Sequence, residues 1–198
     1  HKNGNTYESL AVITGELQKQ GIETEIVHIG NKVIRGCTGC KYCQKNEENN
    51  CVFNDDAVNE TALKMAGADG IILGSPVYYS GIAGTMKSFL DRVFYSKSKY
   101  FRYKVCTAVA AVRRSGGVDT FHQLNNYFNL GEMIIVPSHY WSVIHGRNPG
   151  EVLLDSEGIQ TVREVGKSMA WLMKSLHHAK NLIEKPEREE REWTHFIR

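Results

Sequence analysis

Cys37, Cys40, Cys43 and Cys51 crowd four of the chain's five cysteines into fifteen residues. Their C-x2-C-x2-C-x7-C spacing puts four thiolates on one glycine-bearing loop, an arrangement able to surround a metal centre. Cubane clusters use the same close spacing, because one loop can then wrap three irons. Zinc is a rival occupant, although it more usually takes two paired knuckles separated by a longer loop. A cysteine loop without metal is the third reading. Cys106 stands alone in an apolar run and reads as a small buried core residue. Three further segments carry binding chemistry. Asn3-Gly4-Asn5-Thr6 precedes a helical pattern, so its backbone N–H groups and the Thr6 hydroxyl can hold a phosphate at the positive helix end. The same four residues also read as a plain turn and cap. Pro76-Val77-Tyr78-Tyr79-Ser80-Gly81 follows an apolar strand; the proline fixes the turn, and the tyrosines offer flat faces with polar tips. Arg113-Arg114-Ser115-Gly116-Gly117 follows another strand, and its glycines permit close backbone approach by a flat ligand. Its arginines can hold phosphates or an anionic ring, and on their own equally read as solvated loop residues.

Strand and helix periods alternate around these segments. A helix is expected over residues 7–20, capped by Thr6, with Leu10, Ile13, Thr14 and Leu17 on one face and Gly21 ending it. Residues 23–29 alternate as a strand. Asp55 and Asp56 open a helix through Val58, Leu63 and Met65. A strand at 70–73 and a helix through Met86, Phe89, Leu90 and Val93 follow. Residues 105–112 form a near-continuous apolar run, the mark of a strand covered on both faces. A helix over 121–130, a strand over 133–136 and a long helix over about 159–176 complete the pattern. Such alternation implies right-handed crossovers and a doubly wound α/β sheet. The binding segments would then share its carboxyl edge, where open sheets take ligands. Residues 138–146 (SHYWSVIHG) fall on the same edge and can cover a ligand or meet a second subunit. His177-His178 lies near a helix end, where a cation suits the dipole. Residues 1–183 read as one domain and residues 184–198 as a charged, solvated tail.

With 24 Lys+Arg against 22 Asp+Glu, the chain shows no basic footprint for nucleic acid. No apolar run approaches the roughly 18 residues of a membrane span, so no membrane partner is expected. Crowded cysteines point to metal or redox chemistry in a reducing cytoplasm rather than to a disulfide scaffold.

The stretch over 74–92, GSPVYYSGIAGTMKSFLDR, closely resembles the flavin-contacting loop of the NAD(P)H-dependent FMN reductases and iron–sulfur flavoproteins. The 113–117 turn, the aromatic stretch and Gly166-Lys167-Ser168-Met169-Ala170-Trp171-Leu172 resemble the same group. That resemblance implies a flavodoxin-like parallel sheet of five strands, with FMN held by Asn3, Asn5, Thr6, Pro76 through Gly81, and Arg113 through Gly117. FMN is expected rather than FAD, because no G-x-G-x-x-G fingerprint is present. The cysteine spacing resembles the segment that holds a [4Fe–4S] cluster in the iron–sulfur flavoproteins. Implied too is electron transfer from NAD(P)H to a quinone, a flavin or another small acceptor, with no catalytic triad because the flavin carries the chemistry. The alternative is an electron carrier between redox protein partners. A homodimer or homotetramer is expected, since Tyr78, Tyr79 and Trp141 would otherwise form an exposed apolar patch. Two departures stand out: the x7 gap before Cys51, and an opening that already lies inside the phosphate loop. Family members carry an apolar strand and a tight turn ahead of the matching stretch, so a first strand is expected before His1.

Overall fold

The structure, a computed structural model, describes residues 3–194 and Phe196. His1 and Lys2, and His195, Ile197 and Arg198 of the expected tail, lie outside the described residues. In chain order the elements are α1 (Asn5–Lys19), the short α2 (Tyr42–Lys45), α3 (Val58–Gly67), β1 (Gly70–Tyr78) and β2 (Gly81–Ile82). Then come α4 (Gly84–Lys97), β3 (Val105–Val112), α5 (Gly117–Leu130), β4 (Ile134–Ile135), β5 (Val143–His145) and α6 (Ser156–Ala179).

β3 is the centre of the sheet, and every one of its residues is buried. It pairs in parallel with β1 from Gly70↔Val105 to Pro76↔Ala111, and also with β4 and β5. Successive side chains of a strand point to opposite faces, so one apolar run feeds two cores. Cys106 and Ala108 join Val58, Phe89, Leu90, Val93, Leu124 and Phe128 beneath α3, α4 and α5. Val109 and Ala111 join Ile13, Val162 and Val165 beneath α1 and α6, and Val105 packs with Leu17 and Met169 on that side. Two covered faces explain why a near-continuous apolar run, broken only by the buried Thr107, replaces alternation here. α1 and α6 approach closely at Gly166, where an added Cβ would lie 2.9 Å from the Ile13 carbonyl oxygen.

The expected strand over 23–29 is not a strand. Among the described residues those seven join no strand ladder, and a strand is defined by the neighbouring strand that meets its N–H and C=O groups. Val27 and Ile29 still pack on the core. A broad cleft separates this segment from residues 70–74 of β1. The sheet nonetheless holds five strands, ordered β2-β1-β3-β4 with β5 also on β3; all its pairings are parallel except β1 with β2. β1 runs past the expected 70–73 to Tyr78, so Pro76 and Val77 are strand residues. Tyr79 and Ser80, with φ of 50° and 57°, form a two-residue hairpin corner before Gly81. Positive φ at both corner positions matches the right-handed twist of the flanking strands. α5 starts four residues earlier than expected, and α6 runs from the Asp155 cap to Ala179. Residues 184–194 have no regular structure; within them Lys185 stands over the Tyr103 ring and Arg188 pairs with Glu132. Among the described residues, no helix is long and apolar enough to cross a membrane.

Candidate cofactor cavity and cysteine segment

Gly4, rather than Thr6, is the N-cap of α1, and no side chain among the described residues caps it. The first helical bond runs from the Glu8 N–H to the Gly4 carbonyl, so the N–H groups of Asn5, Thr6 and Tyr7 have no helical acceptor. All three residues line a cavity of about 1920 Å³. Thr6 sits in the first turn with its methyl group on Gly74, where a Cβ would come within 3.0 Å. The Asn5 carboxamide oxygen faces the Val152 N–H at 3.5 Å, tying this turn to the loop after β5. Asn3 is exposed at the mouth of the turn.

Pro76, Val77, Tyr78 and Arg113 line the same cavity, joined by Gly146 and Arg147. The structure therefore brings Asn5, Thr6, Pro76, Val77, Tyr78 and Arg113 together. Arg113 and Arg147 line the same cavity as the α1 N-terminus, and cationic side chains and a helix N-terminus both suit an anionic group. Behind the hairpin, the buried Ser75 hydroxyl accepts from the Ala83 N–H at 3.0 Å and fixes the turn. Gln123 braces the corner: its amide donates to the Ser80 carbonyl at 3.3 Å and accepts from the Ile82 N–H at 3.3 Å. Gly81 lies against that amide, and Tyr79 is fully exposed.

The third loop divides. Arg114, Ser115, Gly116 and Gly117 line a second cavity of about 320 Å³ with Tyr140, Trp141 and His145. Gly116 still touches the hairpin: at φ +84° it lies so close to Ser80 that an added Cβ would meet the Ser80 hydroxyl oxygen at 2.6 Å. Gly117 is equally crowded by Val143. Gly146 closes the aromatic stretch expected on this edge, whereas the sequence does not mark Arg147, Ser75 or Gln123, the last two sitting in ordinary strand and helix patterns.

The four cysteines are gathered but unequal. Cys37 and Cys40 are exposed, Cys51 is half-buried and Cys43 is buried. Burial pushes the Cys43 thiol above its usual range, and the negative charge of Cys51, then of Cys37 and Cys40, pushes it the same way. Among the described residues no three ligating groups close on one point, so the shared segment brings the cysteines into one region without a coordination geometry. Polar side chains shape the loop. Asn46 bonds the Tyr42 and Asn50 carbonyls at 2.9 and 3.0 Å, and Asn49 bonds the Cys43 carbonyl at 2.9 Å. Asn59 brackets Cys51, accepting from its N–H at 2.8 Å and donating to its carbonyl at 2.9 Å. Arg92 of α4 donates from Nε to Cys51 Sγ at 3.2 Å. Burial works against its charge, but bonding to Asp56 and Cys51 outweighs that and holds the guanidinium pKa above its ordinary value. Four soft sulfurs and an N–H donor aimed at one of them fit a thiolate-bound centre. Neither Arg92 nor Asn59 has a spacing signal in the sequence.

Residues 1–148 match the family model described as NADPH-dependent FMN reductase. An iron–sulfur flavoprotein of Methanocaldococcus jannaschii is 36% identical over 179 residues, covering 86% of this chain and 91% of that one. Among solved structures, a flavone reductase superposes with a TM-score of 0.66 at 15% identity, over 90% of this chain and 62% of that one. A flavodoxin from the domain Archaea gives 0.57 at 12% identity, over 86% and 91%. These structural likenesses establish a flavodoxin-like fold.

Proposed function

Because the chain belongs to the NADPH-dependent FMN reductase family and is a flavin-binding oxidoreductase of that family, we propose that it passes electrons from NAD(P)H to a quinone, flavin or other small acceptor. The observation that carries this reading is the shared cavity of Asn5, Thr6, Pro76, Val77, Tyr78 and Arg113. The free N–H groups of Asn5, Thr6 and Tyr7 hold the FMN phosphate, with Asn3 at the mouth of the turn. The backbone of residues 76–81 and the Tyr78 ring form the wall for a flat ring system, and Gly116 and Gly117 let the third loop approach it. Arg113 and Arg114 balance negative charge on the ligand or on the donor's phosphates. When bound, FMN supplies hydride acceptance and electron release. The chain's own work is to orient the ring and leave one face open to donor and acceptor.

A second reading, an electron carrier between protein partners, is favoured by the cysteine segment. There Cys37, Cys40, Cys43 and Cys51 hold a [4Fe–4S] cluster; their close spacing suits one, and the Methanocaldococcus relative is named an iron–sulfur flavoprotein. The exposed Tyr78, Tyr79 and Trp141 support a homodimer or homotetramer. Crowded free cysteines support a reducing, cytoplasmic setting.

The test begins with anaerobically purified full-length protein. Extraction is expected to release FMN, and added NADPH or NADH to bleach the flavin band. Release of FAD, or no flavin after reconstitution, refutes the flavin site. Iron and acid-labile sulfide in wild type, lost in Cys40→Ser while flavin stays bound, supports the cluster; wild type without iron ends that part of the reading and leaves a plain FMN reductase.

A further inference from the structure

Arg92 has the largest fully buried side chain of the fold. Burying a guanidinium is costly unless every N–H finds an acceptor. Here all five do. Nε donates to Cys51 Sγ at 3.2 Å. One terminal nitrogen donates to an Asp56 carboxylate oxygen and to the Arg35 carbonyl at 3.4 Å. The other donates to the Phe53 carbonyl at 2.9 Å and to the second Asp56 oxygen at 3.2 Å. Every acceptor lies within residues 35–56, the segment that carries the four clustered cysteines. The Phe53 ring meets two guanidinium groups, its centroid 4.6 Å from that of Arg35 and 5.4 Å from that of Arg92. Asp56 also accepts from the Val58 N–H at 3.0 Å, which anchors the assembly to α3.

Four of the five acceptors are oxygens, which any folded loop can offer. The fifth is a sulfur. The Nε–H fixes where that sulfur points, because a guanidinium held at every other N–H leaves its donor one direction. The Cys51 backbone is held separately, by Asn59 at its N–H and at its carbonyl.

We propose that Arg92 is the positioning residue of the cysteine centre, fixing the Cys51 sulfur and preparing it as the ligand most strongly held in place before metal arrives. This rests on the reading of Cys37, Cys40, Cys43 and Cys51 as metal ligands. Its probe is Co(II), whose thiolate charge-transfer band reports binding without any need for activity. Full-length, reduced, metal-free protein is titrated as wild type, Arg92→Lys, Cys51→Ser and the double variant. Arg92→Lys keeps the charge but loses the fork. It is expected to bind Co(II) about ten- to a hundredfold more weakly, with a shifted band and unchanged FMN content. In the Cys51→Ser background the same change is expected to add little, because the donor has lost the sulfur it orients. A role in folding alone would weaken both backgrounds equally, and that result, or a wild-type affinity and band in Arg92→Lys, overturns the proposal. Should Arg92→Lys fail to fold, Cys51→Ser leaves Arg92 and its four oxygen acceptors in place. Its Co(II) affinity is expected to fall at least as far as that of Cys40→Ser, and a fall confined to Cys40→Ser overturns the proposal. Wild type that takes up no Co(II) overturns the metal reading together with this one, whereas the other adverse results remove Arg92's role alone.

Discussion

Replacing Gly116 by alanine isolates the contact between the third loop and the hairpin. Gly116 and Gly150 share one backbone conformation, φ +84° and +83°, but differ in surroundings. An added Cβ at Gly116 would lie 2.6 Å from the Ser80 hydroxyl oxygen and 2.8 Å from Ser80 Cα, while at Gly150 nothing lies within 4 Å. Left-handed backbone costs an alanine about 1 kcal/mol at either site. Crowding adds about 1–3 kcal/mol at Gly116 alone, because the obstructing Cα belongs to backbone and cannot rotate away. Gly116→Ala is therefore expected to lose about 2–4 kcal/mol where Gly150→Ala loses about 1. The free protein escapes part of this strain by parting the two loops, and FMN binding must bring them together again. If about 2 kcal/mol is recovered that way, FMN affinity falls about thirtyfold. Flavin-fluorescence titrations and thermal unfolding of the full-length chain separate the two effects. Ser80→Gly in the Gly116→Ala background removes the hydroxyl obstruction and is expected to restore part of the affinity. If Gly116→Ala binds FMN to within roughly a factor of two of Gly150→Ala, the two loops do not act as one wall.

Burial pushes the Cys106 thiol up to about 12, whereas an unfolded cysteine ionises from about pH 8.5. Stability is then unaffected below that pH and falls by up to about 1.4 kcal/mol per unit as pH climbs toward 12. Urea midpoints at pH 8 and pH 10.5 should show a steeper loss for wild type than for Cys106→Ala, and parallel losses would refute the assignment. Gly166→Ala would place a Cβ 2.9 Å from the Ile13 carbonyl oxygen and 2.8 Å from Glu16 Cβ, which is expected to cost about 1–3 kcal/mol and lower Tm. Gly15, within α1 and with nothing inside 4 Å, is the opposite case; Gly15→Ala is expected to gain about 0.5–1 kcal/mol on the same melting curve.

The near-continuous apolar run of β3 announces a strand covered on both faces, and the 3.6-residue periods announce α1, α4 and α6, because burial itself writes those patterns. Residues 23–29 show the limit of that logic. Their alternation records a half-buried surface but not the partner that makes a strand. β2 and β5, of two and three residues, are too short for any period and exist through pairing alone. At the site, glycine and proline chemistry located the loops, yet Arg114, Ser115, Gly116 and Gly117 line a different cavity from Arg113. Which side of a turn each residue faces is settled by packing, as Val143 shows beneath Gly117. The cysteines were plain from their spacing. Arg92, forty-one residues beyond Cys51, read as one more polar position on a helix.

α4 begins against the cavity at Gly84 and reaches the cysteine segment at Arg92. Eight residues at about 1.5 Å each set these points about 12 Å apart along the helix axis. A hydrogen-bonded helix resists stretching, so the span between the two sites is a matter of residue count rather than of loop posture. Inserting one alanine between Gly84 and Arg92 would swing the guanidinium by about 100° away from Cys51. Inserting four would return it to within about 40° of its original bearing while lengthening the span by about 6 Å. The helix thus acts as a ruler with one-turn graduations, along which the separation of the cavity and the cysteine segment can be varied while Arg92 keeps nearly the same bearing.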